Sequence, residues 1–162
     1  MDDRAQMVRH FLAALAYRFH KAVDGAPESF PSLDAGHGIR PPLDLVEHIN
    51  GVLGYGQAML DQGELADGYW HEVPKADWRG QIELVHATLG GIDDLLASQR
   101  QFPAERLERL LQGPLADSMT HVGQLAMLRR VASSPIPAEN FYAADIRAGQ
   151  VSAEQPEPVS PD

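Results

Sequence analysis

From the amino end, Met7, Val8, Phe11, Leu12, Leu15 and Phe19 recur three and four residues apart. That spacing predicts an amphipathic helix from about Arg4 to Val23. Asp24-Gly25 stops it, and the stretch to Pro42 holds too many prolines and glycines for regular structure. A connection this long is usually functional or packed across a surface. Leu43, Leu45, Val46, Ile49, Val52, Leu53, Ala58, Met59 and Leu60 then return to helical spacing and predict a second helix. Gly51, Gly54 and Gly56 lie inside it, each costing about 1 kcal/mol relative to alanine. Close helix packing, or room for a ligand against the backbone, would compensate; packing alone is the simpler reading.

Gly63 to Ala76 is polar and aromatic and reads as a second connection lying over the helices. Asp77 is placed to cap a third helix whose buried face is Ile82, Leu84, Val85, Leu89, Ile92, Leu95 and Leu96, with Gly90-Gly91 as a further close-approach signal. Pro103 starts a short helical turn through Leu111. Gly113-Pro114 restarts the chain, proline suiting a first helical position, and a fourth helix runs to about Val131. One short helical turn is expected near Ala138 to Ile146. No run alternates as a strand would, and no solenoid period repeats. The pattern therefore predicts an all-α fold: a four-helix bundle with long crossover connections over 1–146, followed by an acidic, Pro-rich and mobile tail over 147–162.

A chain of 162 residues, 44% hydrophobic and 22% charged, is long enough for one core without staples. Its net charge of −10 disfavours nucleic acid, which needs clustered Lys and Arg. With no cysteine, disulfides and thiolate ligands are excluded, so a metal would have to bind through His, Asp or Glu. The apolar stretch Phe11 to Ala16 is too short, and too soon interrupted by Arg18 and His20, for a secretory signal or a membrane span. The expected compartment is the cytoplasm.

On the fourth helix Asp117 and His121 are four residues apart and project from one face, a metal-ligand spacing; a surface ion pair would look the same. A third ligand from another helix would leave positions open for water or substrate. His48, on the second helix beside Leu45, Val46, Ile49 and Val52, is the best candidate. Gln124, three residues beyond His121, could support a ligand from the second shell. Glu47 points about 100° away from His48 and is left out. His86 reads as a partly buried, hydrogen-bonded histidine rather than a fourth ligand. His10, His20, His37 and His71 have no partner at ligand spacing, and Tyr55, Tyr69, Trp70 and Trp78 could line an apolar pocket over the metal. Arg129-Arg130 complements the negative end of the fourth helix.

The stretch Asp117 to Arg130, with His121-Val-Gly-Gln-Leu125 at its centre, followed by Ser134-Pro135 and Glu139-Asn140-Phe141, resembles the last bundle helix and its exit in the DinB-like superfamily. That superfamily also holds YfiT-type hydrolases and low-molecular-weight-thiol transferases. The resemblance spans roughly Arg4 to Ile146 and implies a divalent metal, Zn, Ni, Fe or Mn, held by one histidine of the second helix and two residues four apart on the last. Here these map onto His48, Asp117 and His121. The commoner pattern has histidine where this chain has Asp117; a carboxylate lowers the charge of the centre and makes a bound water less acidic. A centre that has lost its metal is the alternative.

The resemblance implies a metal-dependent hydrolase or thiol transferase with a small-molecule or thiol substrate; a homodimer is expected, and charge and hydropathy leave out nucleic acid and membrane as partners. The competing expectation is a non-catalytic, stress-related metal- or ligand-binding protein. No P-loop, Rossmann or Gly-x-Ser-x-Gly motif offers another chemistry.

Overall fold

In a computed structural model that describes residues 2–98 and 100–161, the chain is all-helical, with no strand among the described residues. Helix α1 spans Asp3–Val23, α2 Pro42–Gln62, α3 Trp78–Ala97, α4 Ala104–Leu110 and α5 Ala116–Val131. Asp2 caps α1 by accepting from the Arg4 N–H, and Asp77 caps α3 by accepting from the Gly80 N–H at 2.9 Å. Gly63 ends α2 at φ +91°, a conformation that favours glycine. The long helices touch in the closed order α1, α3, α2, α5, so each packs on two others. Leu12 and Phe19 of α1, Leu53 of α2, Leu89 of α3, Leu110 of α4 and Leu125 of α5 are fully buried between them.

Gly113-Pro114 does not restart the chain. Leu111–Leu115 forms a π-helical turn that joins α4 directly to α5. Proline has no N–H to give to the preceding turn, and a wider turn accommodates its ring by taking in an extra residue. Buried Leu110, Pro114 and Leu115 hold that turn against the core. Gly56 of α2 lies beneath it, where a Cβ would stand 2.9 Å from Pro114 Cβ.

The connection from α1 to α2 includes a single 3₁₀ turn, Phe30–Ser32, that inserts the fully buried Phe30 into the core. The helical turn expected over Ala138–Ile146 is reduced to tight turns such as the one closed by Ala143 N–H on Asn140 O, with no helix. Beyond it the chain returns to the helices. Val151 is buried in the core cluster, and the Asn140 N–H donates to Val159 O at 3.0 Å. Glu139 accepts from Tyr17 and pairs with Lys21 on α1, and Arg18 stacks on Phe141 at 3.8 Å. Asp162, the last residue of the expected tail, lies outside the described residues.

Arg129 turns inward rather than out toward the end of its own helix. It donates to Ala22 O, Asp24 O and Gly25 O at the end of α1 and to Ser134 O and Oγ at the exit of α5. Ala22 O, in the last turn of α1, and the carbonyls of Asp24 and Gly25 just beyond it thereby gain donors. No described helix is long and apolar enough to cross a membrane.

Candidate metal centre

The centre lies where α2 meets α5. His48, Gly51, Val52, Tyr55 and Gly56 share one face of α2 by their spacing of three and four, and Asp117, His121 and Gln124 share one face of α5. The three sequence-predicted ligands come together there, each offering one ligand atom within 4.8 Å of the others. His48 Nε2 is 3.3 Å from Asp117 Oδ2, and His121 Nε2 is 3.5 Å from Asp117 Oδ1. The two imidazole rings meet edge to face, centroids 4.7 Å apart. Among the described residues no other His, Asp and Glu group of three or more could hold an ion.

Gln124 is within reach of the third donor. Its Oε1 is 2.8 Å from His121 Nδ1, which donates to it and so orients the ring. The ring thus turns its Nε2 toward Asp117 and His48, the orientation a metal ligand needs. Two neutral imidazoles and one carboxylate fit Zn²⁺, Fe²⁺, Ni²⁺ or Mn²⁺ and do not select among them. The Asp117 side chain is 45% exposed, against 26% for His48 and 14% for His121, so the centre is open on its carboxylate side.

His48 is held from above by a residue of the α2–α3 connection. The Trp70 indole stacks on it, centroids 6.0 Å apart and planes 25° from parallel. Gly51 permits this, since a Cβ there would lie 2.7 Å from Trp70 Cζ2; Gly54 likewise makes way for His71, whose Cδ2 would be 2.1 Å from a Cβ. All three interior glycines of α2 are therefore explained by close packing. Gly91 makes way for the Gln57 side chain, while Gly90 faces nothing within 4 Å.

Two pockets flank the centre. One, of about 580 Å³, lies beside Asp117 and is walled by Val52, Tyr55, Trp70 and Pro114. The other, of about 390 Å³, lies beside His121 and Gln124 and is walled by Ile39, Arg40, Leu45 and Met127. Of the aromatic residues expected over the metal, Tyr55 and Trp70 border the centre's larger pocket. Tyr69 packs against Tyr55 at 5.8 Å and lines a different pocket, and Trp78 turns its ring to Phe30. Arg40 has no sequence signal, because its approach to His121 depends on the path of an irregular connection.

His86 stands apart from the centre. It is 7% exposed, beside Phe19 and His20, and its Nδ1 donates to Val151 O at 2.9 Å. Burial lowers its pKa; the bond to Val151 raises it in part, and neighbouring His20 lowers it further. No family model, curated protein or solved structure matches this chain.

Proposed function

We propose that this chain is a divalent-metal protein of the DinB-like kind: a four-helix bundle with long crossovers, whose ion is held by His48, Asp117 and His121 and serves a hydrolase or a low-molecular-weight-thiol transferase. The observation that carries the reading is the convergence of two Nε2 atoms and a carboxylate within 4.8 Å, drawn from two helices. A bound ion would acidify a coordinated water or thiol and so supply a nucleophile near neutral pH.

The chain's own groups have separate tasks. Gln124 orients the His121 ring. Trp70 restrains the His48 ring by stacking. Asp117 contributes the negative charge that offsets half of a divalent ion's, which moderates the acidity of anything bound beside it. The exposure of the carboxylate and the pockets on both sides favour a centre that admits a substrate over a closed structural one.

The test is metal content after purification under metal-replete conditions, followed by turnover of aryl esters and transfer of small thiols to aryl halides. One equivalent of metal per chain in the wild type, lost in His121→Ala and Asp117→Ala, is expected, together with one of the two activities. Absence of stoichiometric metal overturns the reading. Bound metal without turnover or thiol transfer leaves a binding protein and overturns the enzymatic half.

A further inference from the structure

We propose that the pocket beside Asp117 receives the aromatic ring of a monoanionic, oxygen-donor molecule whose anionic end reaches the metal centre; this rests on the metal reading above.

The size fits, since about 580 Å³ falls in the range of small-molecule sites. The chemistry of the walls narrows the occupant. Val52, Tyr55, Trp70 and Pro114 give apolar and aromatic surface, and Asp117 is the sole charged residue of the lining. The Thr120 hydroxyl at the rim is already donated to Ala116 O at 3.0 Å. Gln112 is the other polar side chain of the lining, so a strongly polar body would find few partners there, whereas a ring would cover the apolar wall.

Trp70 supplies the second line of argument. It is 55% exposed, unusual for so large an aromatic residue, yet its position is fixed by His48 on one side and by the glycine gap at Gly51 beneath its edge. It is also one of the residues that line the pocket. A rigid indole left uncovered beside a cluster of ligand atoms is a ready stacking surface, and preorganisation spares the ordering cost of binding. The charge of the occupant's end follows from the donor set. A divalent ion with one carboxylate and two neutral imidazoles carries a net +1, which one anionic oxygen donor neutralises. The pocket across the centre differs in containing Arg40, and so suits a different group.

The experiment is calorimetry of protein first loaded with Zn²⁺ or Ni²⁺, comparing benzohydroxamate with acetohydroxamate, which share a chelating end and differ by the ring. Benzohydroxamate should bind at least tenfold more tightly. Thr120→Trp, an exposed change that fills the pocket beside Asp117, should abolish that preference, and Met127→Trp, which fills the pocket across the centre, should leave it intact. Equal affinities of the two hydroxamates, or a preference lost in Met127→Trp and kept in Thr120→Trp, overturn the proposal while the metal reading stands. Failure to load metal overturns the metal reading, and this proposal with it.

Discussion

His86 and His121 make the same kind of hydrogen bond in opposite settings. Each donates from Nδ1, His86 to the Val151 carbonyl and His121 to the Gln124 amide oxygen, which leaves Nε2 as the atom that distinguishes them. In His86 that atom is buried and has no hydrogen-bond partner, with Phe19 and His20 as ring neighbours. In His121 it faces Asp117 at 3.5 Å, with the His48 ring alongside. The candidate metal site is thus set apart by the convergence of ligand atoms from separate elements. Burial of a ring nitrogen alone yields a structural histidine.

The sharpest way to break this comparison is to remove one side chain from each setting and measure metal affinity. Structural zinc sites gain roughly 10–16 kcal/mol from about four ligands, so loss of one ligand is worth about 2.5–4 kcal/mol, a factor of roughly 70 to 900. His121→Ala should lose that much affinity by competition with a chromogenic chelator, and His86→Gln should lose none. Gln124→Ala, which frees the His121 ring without removing it, should cost about tenfold, the lower end of what supporting residues contribute. Equal effects at His86 and His121 would show that stability, not coordination, sets metal binding.

Arg129 extends the contrast along α5 itself. At the amino half of the helix, Asp117 and His121 point at other ligand atoms. At the carboxyl half, Arg129 spends its donors on carbonyls and one hydroxyl and pairs with no carboxylate in those bonds. Arg129→Met should destabilise the fold by about 3 kcal/mol, since several buried carbonyls lose their donors together. Urea unfolding reads this. Metal affinity per folded molecule should stay unchanged.

How much of this was readable in advance depends on whether the signal was local. Asp117 and His121 lie in one helix, so their spacing alone placed them together. The capping by Asp77 and the buried faces of the helices were local in the same sense. His48 needed a second helix at the right height and angle, which spacing within its own helix could only permit. Trp70 and Arg40 sit on irregular connections, where no periodicity constrains what a side chain meets. Gly51, three residues after His48, was a visible hint that something lies close to α2, but it did not say what. Gly113-Pro114 misled because the lost hydrogen bond reads locally as a break. Burial of Leu110 and Leu115 on either side, and the clearance at Gly56, let the helix run through it.

The pH dependence of stability gives a smaller effect with a definite sign. Burial holds the His86 pKa below its ordinary value, so between that lowered value and about 6.5 the unfolded chain binds a proton that the folded chain does not. Stability contributed by neutral His86 is complete above about pH 6.5 and falls as pH drops toward the folded-state pKa. Urea midpoints should decline from pH 7.5 to pH 5, and His86→Gln should flatten the decline. An undiminished slope in that variant would assign it to other groups.

The smallest expected effect tests whether the close packing around the centre extends to the α3 region that carries His86. Gly90 lies one turn beyond His86 on α3, and a Cβ there would meet nothing within 4 Å. Gly90→Ala should therefore gain helix propensity without displacing a neighbour, stabilising the fold by about 0.5–1 kcal/mol. Gly51→Ala gains the same propensity but drives a Cβ to 2.7 Å from Trp70. It should give up the stability gain, shift the Trp70 emission and weaken metal binding, because the indole that restrains His48 must move. If both alanines stabilise equally and Trp70 emission is unchanged, the glycine at 51 is not the seat of the indole, and the restraint on His48 comes from elsewhere.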